Sequence, residues 1–174
     1  MSKFFTSKAQ TLKKLKIKKG HIAKLFIFKV SEFTKNPKNI VATISRKFNG
    51  KVIIRSSNFK EDNKNKSFAG YFESVLNVNY KNLIETISAI KRVIKSYKNY
   101  SSPKNEILVQ SMVENVIASG VVTTCDIKNY SPYYVVDINY GKDTTAVTSG
   151  KKNTLQLILS KQKIYKPKKI YKKI

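Results

Sequence analysis

Three short segments combine side chains that suit a polyphosphate or a nucleobase. Arg55-Ser56-Ser57 sets a guanidinium ahead of two hydroxyls, a group able to hold a phosphate oxygen in forked hydrogen bonds. Ser67-Phe68-Ala69-Gly70 is a run of mostly small residues in which backbone N–H groups can approach an anion and Gly70 can take a positive φ. Val109-Gln110-Ser111-Met112-Val113 is an apolar strand whose alternate side chains and free backbone edge could face a flat purine. Each has an ordinary alternative: chance, a plain turn, a plain core strand. The constellations that usually announce catalysis are absent: there is no G-x-S-x-G, H-E-x-x-H, G-x-x-x-x-G-K-[ST] or G-x-G-x-x-G. His21 stands in an apolar run and reads as a structural imidazole, and Cys125 as a small core or near-core side chain. With one cysteine and one histidine, neither an internal disulfide nor a zinc site organises the chain.

The elements that must position these residues follow from periodicity and capping. A helix is expected over residues 7–19, with Thr6 or Ser7 as N-cap and Gly20 as the stop. A strand rich in β-formers is expected over 21–30, a helix over 36–48, and a buried strand over 51–56 that delivers Arg55 at its end. A charged loop over 58–67 then leads to a strand at 72–78. The spacing of Leu83, Ile87, Ile90, Ile94 and Tyr97 predicts a helix over 80–98, followed by a turn at Ser101-Ser102-Pro103. Further strands are expected over 106–113, 119–125, 133–140 and 155–159. This order lacks a regular βαβ rhythm, which indicates an α+β fold.

The chain has 174 residues and a formal charge of +25, from 35 Lys and Arg against 10 Asp and Glu. Such a charge suits contact with nucleic-acid phosphates. Yet Arg46, Arg55 and Arg92 are the only arginines, and abundant Asn, Ile and Tyr accompany the lysines, as when codon usage favours A and T. Much of the lysine therefore reads as an ordinary solvated face. The most apolar stretch, residues 107–124, is interrupted by Gln110, Glu114, Asn115 and Ser119, short of the ~20 apolar residues that a spanning helix needs. Since no secretory signal is readable at Met1-Ser2-Lys3-Phe4-Phe5, a cytoplasmic location is expected. Residues 161–174 contain seven lysines and read as a disordered tail.

Taken in order, the segments carry a resemblance. Lys51-Val-Ile-Ile-Arg-Ser-Ser-Asn-Phe-Lys-Glu-Asp62, Ser67-Phe-Ala-Gly-Tyr-Phe-Glu-Ser-Val-Leu-Asn-Val78, Ile107-Leu-Val-Gln-Ser-Met-Val113 and Ser119-Gly-Val-Val-Thr-Thr124 resemble the N-terminal ATP-grasp nucleotide-binding domain of phosphoenolpyruvate synthase and pyruvate phosphate dikinase. Pro132-Tyr-Tyr-Val-Val136 and Val147-Thr-Ser-Gly150 extend the likeness over nearly all of residues 7–160. Within that superfamily the chain is similar to kinase-type members from capsule and surface-polysaccharide loci, including L-glutamine kinase.

The resemblance implies a partial ATP-grasp nucleotide domain over residues 1–160, a mixed sheet with flanking helices that holds ATP between a strand-edge hinge and a glycine-containing loop. Lys8 falls where the family has a phosphate-contacting lysine after two glycines, which are Thr6 and Ser7 here. Arg55 is implied to contact the phosphates, and Gly70 and Ser74 to belong to the loop that covers them. Gln110, Met112 and Val113 are implied to frame the adenine. ATP is the implied ligand and Mg2+ its companion, with acidic metal ligands in a second half of the family's domain. Tyr140-Gly141-Lys142-Asp143 stands where many relatives carry Gly-Leu-Gly-Glu. The phosphohistidine and acceptor domains are implied as partners, in the same gene or on a separate chain. The chain is thus expected to be a truncated or isolated portion of a phosphotransferase, inactive alone. The competing expectations are a basic protein that binds nucleic acid nonspecifically and an inactive remnant.

Overall fold

The computed structural model describes residues 7–15, 21–58, 72–150 and 154–161. They fall into two compact units, Met1–Val113 and Glu114–Ile174. The architecture is α+β with flanking helices, as expected; where a mixed sheet was expected, every strand pair among the described residues is antiparallel. Gly70, residues 16–20, most of the charged loop and nearly all of the Lys-rich tail lie outside the described residues, and the helix expected over 7–19 already ends at Lys14, where Leu15 is extended.

In the first unit the elements run α1 (Lys8–Lys14), β1 (Leu25–Lys29), α2 (Val30–Lys35), α3 (Pro37–Lys47), β2 (Val52–Ser57), β3 (Ser74–Val78), α4 (Leu83–Ser96) and β4 (Glu106–Ser111). The sheet has the order β1-β4-β2-β3 with every neighbour antiparallel. Strand alternation gives it two distinct faces. Phe28, Val52, Ile54, Ile107 and Val109 belong to one buried cluster with the apolar stripes of the helices. Leu25, Ile53, Arg55, Ser57, Glu106, Leu108 and Gln110 form the opposite row, by their register.

Local signals explain the helices. Asn36 caps α3 by accepting from the Asn39 N–H at 3.1 Å, and Pro37 at the first turn has the φ the helix needs. α3 then buries Ile40, Val41 and Ile44. Asn82 caps α4 in the same way, accepting from the Glu85 N–H at 3.1 Å, while Glu85 reaches back to accept from the Asn79 N–H at 2.9 Å. Thr86, Ala89, Ile90 and Val93 lie on the buried face of α4, and Tyr97 follows them into the core.

The strand expected over 21–30 is shorter at both ends. His21 is exposed ahead of β1 rather than held in a strand. At the other end Val30 opens α2: its N–H donates to the Asn105 carbonyl at 2.8 Å, and the Glu32 carboxylate accepts from the Lys29 N–H at 2.7 Å. A Glu three residues into the turn satisfies an orphan N–H and outweighs the β-propensity of the Ile27-Phe28 run.

The second unit holds an antiparallel three-stranded sheet of β5 (Ala118–Thr123), β6 (Tyr133–Tyr140) and β7 (Leu155–Ser160), in that order. A Cβ added at Gly120 would stand 2.5 Å from the Asp137 carbonyl oxygen, so only glycine allows β5 and β6 to approach as they do. Asp143 closes the loop after β6, its Oδ1 accepting from the Thr145 N–H and hydroxyl and its carbonyl from Ser119 and Asn139 side chains. Cys125 is half-buried just beyond β5.

Candidate functional site

The sheet face opposite the core of the first unit carries three of the seven expected site residues, Arg55, Ser74 and Gln110. Arg55 lies opposite Ser74 on β3 and Leu108 on β4, and Gln110 lies opposite Ile53, two residues from Arg55 on β2. Arg55 Nη1 donates to Gln110 Oε1 at 3.3 Å, joining the residue expected at the phosphates to one expected at the base. The Arg55 Nε is buried and has no hydrogen-bond partner among the described residues. An unpaired donor on an ionised group is expensive to bury, so this guanidinium retains unused capacity for an acceptor.

Other expectations are corrected. The fork of Arg55, Ser56 and Ser57 does not form, because alternation turns Ser56 toward the core on the opposite side of β2 from Arg55. Ser57 is wholly buried, and its Oγ accepts from the Ala9 N–H at 2.9 Å. The free backbone edge expected at β4 is absent too. β4 lies between β1 and β2, and beyond their ladders Ser111 donates to the Lys24 carbonyl at 3.0 Å and Met112 to the Lys51 carbonyl at 2.9 Å. Any purine recognition by this segment must use side chains, such as those of Gln110 and the half-buried Met112, or backbone after Met112. Val113 is 67% exposed and is the last residue of the first unit.

Lys8 is half-buried and opens α1. Its neighbours are anchored at the far end of the same sheet face. Ser7 donates to Glu106 Oε2 and accepts from the Gln10 N–H at 3.3 Å as the helix cap, while Gln10 Nε2 donates to Glu106 Oε1 at 2.6 Å. Beneath them the buried Tyr97 hydroxyl accepts from the Ser57 N–H at 3.0 Å and donates to the Glu106 carbonyl at 2.6 Å, clamping the end of β2 to the start of β4. Sequence reasoning missed Glu106 as more than the first residue of a strand. A carboxylate opening an apolar run is a weak signal, and its partners lie at the other end of the chain.

Among the described residues no group of three or more His, Cys, Asp or Glu side chains could hold a metal ion, so the acidic set that Mg2+ prefers is not assembled by them. No helix among them is long and apolar enough to cross a membrane.

Comparison with known proteins places the sequence in a family. Among solved structures, the chain is similar to PH1788 from Pyrococcus horikoshii Ot3, at 17% identity with a TM-score of 0.39, over 79% of this chain and 51% of that one. The chain thus spans about half the length of that structure. No curated protein matches it. The family model described as pyruvate phosphate dikinase, AMP/ATP-binding domain, matches residues 3–173, nearly the whole sequence. The chain therefore belongs to the family of the pyruvate phosphate dikinase AMP/ATP-binding domain.

Proposed function

We propose that this chain is the ATP-binding portion of a phosphoenolpyruvate-synthase-like phosphotransferase. Residues 1–160 form the nucleotide-binding part and 161–174 a basic tail. Lys8, Arg55 and Ser74, with Gly70 in the covering loop, serve the phosphates, and Gln110, Met112 and Val113 serve the adenine. Cations fixed at a triphosphate stabilise the charge that builds on the transferring oxygens, which is the protein's main task in phosphoryl transfer. The phosphoryl group passes to a histidine of a separate domain and then to a small-molecule acceptor. Synthesis of a capsule or surface polysaccharide, as with L-glutamine kinase, is the setting we propose, in the cytoplasm. Mg2+ accompanies the ATP, held by acidic ligands outside this chain.

The observation that carries this reading is Arg55: half-buried, tied to Gln110 at one nitrogen and holding a second, buried nitrogen with no hydrogen-bond partner among the described residues. Loss of one charge-assisted hydrogen bond costs ~1.5–3 kcal/mol. Arg55→Ala should therefore weaken ATP by roughly tenfold or more while leaving adenosine much less affected. Isothermal calorimetry with both ligands, on variants with matched circular dichroism, reads the difference. Equal losses for ATP and adenosine would assign Arg55 to the fold and not to the phosphates.

A further inference from the structure

We infer that Glu106 is a positioning residue that fixes Lys8 against the triphosphate, an inference that rests on the nucleotide reading above. Glu106 is buried to 4% exposure, and its two carboxylate oxygens take hydrogen bonds from Ser7 and Gln10, which straddle Lys8. The Ala9 N–H is held in turn by Ser57, the cross-strand partner of Glu106. The backbone on both sides of Lys8 is thus pinned to one terminal pair of the β2–β4 ladder.

This arrangement has a physical reason. A helix of seven residues does not persist by itself in water. Hydrogen bonds to an ionised acceptor are stronger than neutral ones, and a buried carboxylate stripped of its donors is costly, so releasing α1 is opposed twice. A lysine side chain loses much rotamer freedom when it grips a phosphate, and a fixed backbone beneath it reduces what remains to be ordered. Glu106 also shares a strand and a face with Gln110, four residues on. At ~3.3 Å per residue, β4 sets a separation of roughly 13 Å between the anchor of Lys8 and the side chain expected at the base. One rigid strand would thereby gauge both ends of the nucleotide.

The test is a cycle of Lys8→Ala, Glu106→Gln and the double variant, each titrated with ATP and with adenosine by calorimetry. Glu106→Gln should weaken ATP by about three- to thirtyfold, as coupled neighbours do, and change adenosine by less than about twofold. In the Lys8→Ala background it should cost nothing further for ATP. A merely structural glutamate would lower both ligands together or add its full loss to that of Lys8→Ala, and either result overturns the inference. If Lys8→Ala weakens ATP while Glu106→Gln leaves it unchanged, the positioning role fails and the nucleotide reading stands. If Lys8→Ala leaves ATP unchanged, the assignment of Lys8 fails and the inference falls with it. Gln10→Ala, at a part-buried helix position, should reproduce the selective loss of ATP in smaller measure even where Glu106→Gln does not fold; loss of both ligands alike would again count against it.

Discussion

The Tyr97 hydroxyl satisfies a backbone donor and a backbone acceptor at once while the side chain is fully buried, so it acts as a rung of the sheet supplied from a helix. Tyr97→Phe keeps the ring packed 5.3 Å from Phe72 but leaves the Ser57 N–H and the Glu106 carbonyl without that partner. Stability should fall by ~1–3 kcal/mol, seen in urea as a lower midpoint with an unchanged m-value. The spacing of Leu83, Ile87, Ile90, Ile94 and Tyr97 places Tyr97 on a helical stripe, which is right as far as periodicity reaches. Its hydroxyl partners lie on two other strands and leave no trace in local pattern. The same holds for Ser57, where a phosphate ligand is the natural reading of Arg-Ser-Ser until the tertiary hydrogen bond from the Ala9 N–H shows its Oγ engaged.

At the level of elements, what was legible is what is local. The helices expected over 36–48 and 80–98 form as α3 and α4, their apolar stripes bury as the spacing requires, and the Asn82 cap sets the start of the second at Leu83 rather than Tyr80. What was not legible depends on strand order. The run Ile107 to Val113 reads equally well as an edge or a centre, and only the order β1-β4-β2-β3 makes it central and removes the free edge. α2 was hidden because the β-forming run before it masks the Glu32 cap. Ile90, fully buried in α4, should cost ~2–5 kcal/mol as Ile90→Ala, read by chemical denaturation. In the second unit, Gly120→Ala must push β5 off β6 or strain the Asp137 carbonyl; a loss of ~1–3 kcal/mol is expected, with hydrogen exchange accelerated at Val136 and Ile138.

The whole molecule carries +25 charges, and the basic tail at 161–174 concentrates seven of its lysines. Deleting residues 161–174 should weaken nonspecific DNA binding and flatten its salt dependence, the slope falling by ~0.9 for each phosphate that the shortened chain leaves unneutralised, while ATP binding survives. Unchanged DNA affinity with an unchanged slope, together with discrimination among sequences, would instead place a nucleic-acid site in the folded part of the chain. The family assignment concerns the nucleotide, and so does the central claim. It is tested most directly by titrating the full chain, shown by circular dichroism to be folded, with ATP in the presence of Mg2+ and separately with adenosine. Saturable heat with ATP at or below ~1 mM, and weaker binding of adenosine, is the predicted result, since phosphate contacts add to those with the base. A folded chain that gives no heat with ATP at that concentration would contradict the account.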